Sequence, residues 1–225
     1  SCILSVHQLP LIVQQSKSKF LTSSPMPSRH FTTRTTATSL TDTVANTVRQ
    51  MLIQGELRAG QRLSEAALSQ QLDISRNTLR EVFRILIIDI YRVRRLIECQ
   101  SLEKAWPLHP AHKRMRDAVA SAQQARDAKD WRSVGSANMA FHAAIVGLSD
   151  SERLSAMFED LAAELRLAFG MLDDPEYLHA PYVDLNARLL QMFMEGQTAA
   201  AARELETYLV QSERMVLAVY ARQMS

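Results

Sequence analysis

The chain has 225 residues, 47% of them hydrophobic, enough for one large domain or two small ones with real cores, which excludes disorder of the whole. Its formal net charge is only +2, so any affinity for nucleic acid must come from local clustering of basic residues rather than from a global field. Two widely separated cysteines, Cys2 and Cys99, speak against a disulfide scaffold or zinc finger and for a reducing compartment, and no apolar run approaches the ~20 residues of a membrane span.

Residues 1–38 are rich in Ser, Thr, Gln and Pro and carry Lys17, Lys19, Arg29 and Arg34, with no acidic residue before Asp42. This basic arm is expected to be a loosely ordered extension, with a DNA-tracking arm as the alternative. Its apolar opening, SCILSVHQLPLIV, lacks a preceding positive region and a small-residue cleavage site, so it does not read as a signal peptide and a cytoplasmic location is expected. Residues 39–86 follow a different pattern. Val44, Val48, Met51 and Leu52 form a helical stripe that Gly55 stops, and residues 56–60 make a turn or minimal strand.

From Arg62, RLSEAALSQQLDISRNTLREVFRIL predicts two short helices joined by a tight turn. Ser64 caps the first, ahead of Ala66, Ala67, Leu68 and Leu72; Asp73-Ile74-Ser75 breaks it, and Ser75 caps the second. On that second helix Leu79, Val82, Phe83 and Leu86 share a buried stripe, while Arg76, Asn77, Arg80 and Arg84 take the other side. An apolar face backed by arginines, with Ser, Asn and Thr at the start, can dock in a major groove. Ser64, Ser75, Arg76, Asn77, Thr78, Arg80 and Arg84 are therefore the expected DNA contacts. The plainer alternative is a solvated basic face.

Residues 87–225 predict a mainly all-α remainder, an antiparallel helical bundle. Its helices are expected from Asp89 to Pro107, from about Ala111 to Asp130, Ser133 to Leu148, Ser151 to about Leu172, about Tyr182 to Glu195, and Thr198 to about Arg222. Tyr91, Leu96 and Ile97 are expected to face inward on the first, and Gly196 to cap the fifth. No strand pair with a turn signal follows Leu86, and no glycine lies between Gly60 and Gly135.

The stretch GELRAGQRLSEAALSQQLDISRNTLREV resembles the N-terminal signature of GntR-family transcriptional regulators through Gly55, Gly60, Leu63, Glu65, Leu68, Leu72 and Arg80. That resemblance implies a winged helix-turn-helix, with a hairpin after the recognition helix that is missing from this sequence. Either the wing is deleted or it is absent only from this sequence. The second is favoured, because an unbroken helix over residues 76–105 exceeds ordinary globular lengths.

The remainder resembles the C-terminal effector domain of the FadR branch, with a slighter likeness to its VanR-like subgroup. DIYRVRRLIE matches the opening helix with Arg94 and Glu98, NMAFHAAI carries the Asp/Asn-x-x-Phe-His motif at Asn138 and His142, and LNARLLQMFMEGQTAAAARELETYL follows the last two helices. Many members hold a divalent metal through that pair and two further histidines, whose places here are Asn186 and Tyr208. One imidazole without a carboxylate is a poor zinc or nickel site, so no cofactor is expected, unless a substitute ligand such as His179 completes it. What the resemblance leaves is an effector pocket of Arg94, Asn138, His142, Asn186 and Tyr208, or the same groups satisfying one another.

The expected function is a ligand-responsive DNA-binding regulator. It would be a homodimeric repressor on a palindromic double-stranded DNA operator, released by a small organic acid that Arg94 clamps. A ligand-binding module without DNA binding is the alternative. A helical-bundle enzyme using His142 as base is disfavoured, since no nucleophile-base pair or phosphate loop accompanies it.

Overall fold

Every run of apolar spacing read above becomes a helix. The computed structural model describes residues 40–58, 64–172 and 174–222, which belong to one compact unit, and among them there is no strand. The basic arm and residues 59–63, which include the end of the expected turn, lie outside the described residues. Eight helices are described: α1 (Leu40–Ile53), α2 (Glu65–Gln71), α3 (Arg76–Lys104), α4 (His112–Asp127), α5 (Trp131–Gly147), α6 (Glu152–Phe169), α7 (Pro175–Met194) and α8 (Thr198–Arg222).

Local signals set most of the ends. Ser64, Ser75, Asp130, Ser151 and Asp174 each accept a hydrogen bond from a backbone N–H of the first turn they precede, satisfying a donor that the helix itself cannot. Gly55 and Gly196 stand at φ +77° just beyond α1 and α7, a left-handed turn that costs glycine little. The start of α7 corrects the expectation at Tyr182. Asp174 caps the helix and Pro175 opens it, seven residues earlier, and Pro181 lies inside it. The bond that Pro181 cannot donate would have gone to the carbonyl of Tyr177, whose side chain is exposed.

One unbroken helix of 29 residues, α3, runs through the place where a wing would leave the chain. This length, beyond what the sequence reading expects, is stabilised because α3 is buried along its course in one continuous core. Leu79, Val82, Phe83, Leu86 and Ile87 pack against Val44, Val48 and Met51 of α1 and Leu68 of α2. Farther along, Tyr91, Arg94, Glu98 and Leu102 turn into the bundle. Burial of each large apolar side chain contributes about 1.5–3 kcal/mol, far more than helix propensity could. Leu96 departs from expectation: it is 66% exposed, because the inward positions of α3 continue through Arg94 and Glu98 and leave Leu96 on the opposite face. The boundary expected at residue 86 falls within α3.

In the bundle α4 packs along α5 and α3 along α8. Two of the links between the first three helices and the later ones lie at α1 and the first half of α3. Arg49 of α1 donates through Nε to both oxygens of Glu164 on α6, at 3.2 and 3.1 Å. Tyr220 near the end of α8 stacks on Phe83 of α3, with ring centroids 6.5 Å apart, and donates its hydroxyl proton to the carbonyl of Ala168 on α6.

Candidate functional site

The amino end of α3 carries the expected DNA-facing group. Ser75 Oγ accepts from the N–H of Thr78 at 3.0 Å and lies 2.8 Å from Thr78 Oγ1, which fixes the first turn. Arg76 and Asn77 are exposed beside it. Arg80 differs from the free basic side chain read from the sequence. It is half-buried and grips Glu65 of α2 with two hydrogen bonds, Nε to Oε1 at 2.5 Å and Nη2 to Oε2 at 2.8 Å. Arg84 makes a similar fork to Glu81 one turn back, at 2.7 Å on both arms, on an exposed flank. Ser64 accepts from Ala67 N at 3.4 Å, a longer cap than that of Ser75.

The bundle brings all five expected effector residues into one buried chain of hydrogen bonds. Arg94 of α3 donates through Nε to Glu98 Oε1 at 2.6 Å. The other carboxylate oxygen of Glu98 accepts from His142 Nδ1 of α5, also at 2.6 Å. His142 Nε2 lies 2.9 Å from the Tyr208 hydroxyl of α8, which is 3.2 Å from Asn138 Oδ1. Asn186 of α7 donates to that same Asn138 oxygen at 2.7 Å. Four helices, α3, α5, α7 and α8, thus meet at a chain of polar side chains that are all buried except the half-buried Asn138.

Charge and burial decide how the protons sit. Burial alone would push the Glu98 carboxyl up, but the Arg94 guanidinium and His142 more than offset it, so Glu98 stays below the ordinary carboxylate range and is ionised. Burial pushes the His142 imidazole below the ordinary histidine range despite the pull of Glu98. A neutral His142 with its proton on Nδ1 toward Glu98 has Nε2 as an acceptor, and Tyr208 supplies the proton for it; the network fixes that tautomer. Tyr208 itself is held far above the ordinary phenol range by burial, so it remains a donor.

Two polar atoms of the network have no partner: Arg94 Nη2, a donor, and Asn186 Oδ1, an acceptor. Around them the structure adds residues outside the expected effector set, among them Tyr91, whose inward orientation the sequence reading did expect. Tyr91 lies under the Arg94 guanidinium, 5.0 Å from ring centroid to Cζ, and its hydroxyl is 2.7 Å from Ser212 Oγ. Tyr182 and Tyr208 meet in a T-shaped ring contact, with centroids 4.7 Å apart. The helical period could have found two of them, since Tyr182 stands four before Asn186 and Ser212 four after Tyr208.

The donor set does not fit the divalent metal held by many effector domains of this kind. Both nitrogens of His142 are engaged by Glu98 and Tyr208, and Asn138 Oδ1 already accepts from Asn186. Burial disfavours a phenolate at Tyr208, and among the described residues no group of three or more His, Cys, Asp or Glu side chains could hold an ion. His179 sits instead against Phe169, with its ring tip over Gly135.

Comparison with known proteins matches both halves. The description "Bacterial regulatory proteins, gntR family" fits residues 40–91, and "FCD domain" fits residues 89–211, more than half the chain. Among solved structures, the chain is 32% identical to a protein assigned as a GntR transcriptional regulator from Rhodococcus sp. RHA1, over 80% of this chain and 98% of that one, with a TM-score of 0.59. Two more distant structures share the fold. Escherichia coli McbR/YncC is 21% identical over 83% of this chain and 99% of its own, with a TM-score of 0.51. Lar, which controls the expression of the Listeria monocytogenes agr system, is 12% identical over 80% and 98%, with a TM-score of 0.52. No curated protein matches. The chain belongs to the GntR family of bacterial regulatory proteins, with an FCD domain behind its DNA-binding helices.

Proposed function

We propose that this regulator is a cytoplasmic homodimeric repressor, released from a palindromic operator when a small organic acid binds beside Arg94. Family membership makes the chain a DNA-binding, ligand-responsive transcriptional regulator and not an enzyme, which removes the role of His142 as a catalytic base. The observation that carries the finer reading is the continuity of α3. Arg94 and Glu98 stand on the same helix that Ser75 caps and that carries Arg76 and Arg80, with Arg94 about 21 Å from Arg80 along its axis. A ligand that changes the position of Arg94 acts on a rigid element that reaches the DNA-facing turn.

The unpartnered atoms support an acid as the ligand. A buried donor or acceptor without a partner costs about 1–3 kcal/mol, and a carboxylate on Arg94 Nη2 relieves that cost with a charge-assisted bond. A hydroxyl on the same molecule, or a water, would serve Asn186 Oδ1. No resident metal takes part in this reading, since the donor set is already engaged. Elemental analysis near one zinc or nickel per chain, abolished by His142→Ala, would contradict that part.

The acid is tested by thermal denaturation against a panel of small mono- and dicarboxylic acids. At least one is expected to raise the melting temperature of the wild type and not of Arg94→Lys, which keeps the charge and loses the fork. No shift with any acid, or equal shifts in both proteins, would place the effector elsewhere or make it neutral.

A further inference from the structure

Helix α8 runs from the buried network to the core beneath the DNA-facing turn. Tyr208, Ser212, Val216 and Tyr220 follow one another at four-residue steps on its inward side, and all are buried. At one end the Tyr208 hydroxyl lies 2.9 Å from His142 Nε2. Farther along, Ser212 Oγ lies 2.7 Å from the Tyr91 hydroxyl of α3, and Tyr220 stacks on Phe83 of the same helix. Tyr91 comes eight residues after Phe83, and Ser212 eight before Tyr220. The two helices are therefore antiparallel and keep one register over about 12 Å, with an ion pair between Arg95 and Glu213 beside it.

Tyr220 also reaches a third helix. Its hydroxyl donates at 2.5 Å to the carbonyl of Ala168 in the last turn of α6, where helix carbonyls lack intrahelical donors. Burial, and after it the Glu65 carboxylate, hold this phenol above its ordinary range, so it stays a donor. One turn earlier on α6, Glu164 accepts from Arg49 of α1. A single turn of α6 therefore seats both α1, through Arg49, and the Phe83 side of α3, through the Tyr220 ring and hydroxyl.

We infer that Tyr220 is a positioning residue of the switch, setting the seat of Phe83 and the DNA-facing turn of α3 according to where Tyr208 holds α8. The inference rests on the effector reading for the signal that displaces Tyr208, and it adds a line of transmission beside α3. A ligand group that takes His142 Nε2 must displace the Tyr208 hydroxyl. The side chains from Tyr208 to Tyr220 are packed on every turn, so the helix has no slack in which to absorb such a shift locally. About 18 Å along the axis, the movement meets one hydroxyl that is either on the Ala168 carbonyl or off it. A discrete contact of this kind, biased from a distant site, is what physical coupling requires.

The test is a double-mutant cycle read on DNA affinity, by fluorescence anisotropy of the full chain with duplex DNA selected from a random-sequence pool and no acid added. Tyr208→Phe takes the donor from His142 Nε2, and Tyr220→Phe removes the bond to Ala168 while keeping the ring on Phe83. Each alone is expected to weaken DNA binding about fivefold, the low end of coupling between two sites, with circular dichroism unchanged. The double variant is expected to bind no more weakly than either single, whereas independent sites would multiply to about 25-fold. Tyr208→Phe with Glu164→Gln, which loosens the α1 tie and leaves α8 untouched, is expected to multiply. Single variants without effect, or effects that multiply in the Tyr208 and Tyr220 pair, overturn the relay and leave the effector reading standing. Effects that fail to multiply in both pairs show a general loosening of the seat and overturn the assignment to Tyr220. A coupled Tyr208 and Tyr220 pair in a protein whose DNA binding ignores acetate, lactate, malonate and succinate upholds the relay and counts against a carboxylic acid as its trigger.

Discussion

Glu98 Oε2 lies 2.6 Å from His142 Nδ1, and neither side chain has any exposure to solvent. The carboxylate is held between that imidazole and the Arg94 guanidinium, so its charge is compensated from one side and its second lone pair occupied from the other. Breaking such an arrangement from one end leaves a buried charge alone. Glu98→Gln is therefore expected to lower the unfolding free energy by about 3–5 kcal/mol, measured by urea denaturation. A loss below 1 kcal/mol would mean that Arg94 finds another counter-charge or reaches water.

At the DNA-facing end, two arginines are expected to separate. Arg76→Ala removes an exposed side chain and should weaken operator binding by about 1–3 kcal/mol if it reads a guanine, with unchanged melting. Arg80→Ala also breaks the fork to Glu65 that ties α2 to α3, so it should destabilise the fold by up to about 1 kcal/mol as well. Glu65→Gln distinguishes the two roles of Arg80. If it weakens operator binding as much as Arg80→Ala does, Arg80 positions the turn and does not touch DNA.

The two caps of the helix-turn-helix should differ in weight. Ser75 Oγ is 3.0 Å from its backbone donor and Ser64 Oγ is 3.4 Å from its own. Ser75→Ala is expected to cost about 1–2 kcal/mol and Ser64→Ala about 0.5 kcal/mol in thermal or urea melts. The reverse order would show that the fray of α2, the shorter helix, controls the unit.

Acid should weaken the fold in two separate windows. Burial lowers His179 to about 4 from the ordinary 6.5, and lowers His142 as well. The unfolded chain therefore takes up protons first as pH falls below 6.5, so stability present above that pH is lost on the way down. The His179 part is on the order of 3 kcal/mol by pH 4. Glu98, lowered in the fold, keeps its contribution above about 4.5 and loses it only below. Melting temperatures between pH 7 and 4.5 should fall in the wild type and fall less in His179→Gln. Identical profiles would place the acid sensitivity elsewhere. Gly135→Ala probes the same ring sterically, since a Cβ there would stand 2.6 Å from His179 Nε2, and should cost about 1–3 kcal/mol.

Much of this was legible in the chain because the signals are local. Caps at Ser64 and Ser75, the stripe from Leu79 to Leu86, and the four-residue spacing of Asn138 and His142 each depend on neighbours within two turns. The family resemblance supplied Arg94, Asn186 and Tyr208, and the fold links all three to His142: Arg94 through Glu98, Tyr208 directly, and Asn186 by way of Asn138 and Tyr208. What escaped the sequence depends on tertiary packing. The exposure of Leu96, the half-burial of Arg80 under Glu65 and the length of α3 follow from which helices lie across each face. The early start of α7 was readable at Asp174-Pro175 and was obscured by Pro181, which looks like a breaker until its lost partner is seen to sit beside an exposed side chain.

The most direct measurement is operator affinity as a function of acid, by fluorescence anisotropy on duplex DNA selected by the protein itself from a random-sequence pool. The acid that raises the melting temperature should weaken DNA binding by roughly 5- to 150-fold in the wild type, the usual range of coupling between two sites. Arg94→Lys should hold the DNA with the same affinity whether or not the acid is present. DNA binding that ignores every acid in the wild type, or responds equally in the variant, would contradict the transmission of an effector signal from Arg94 along α3.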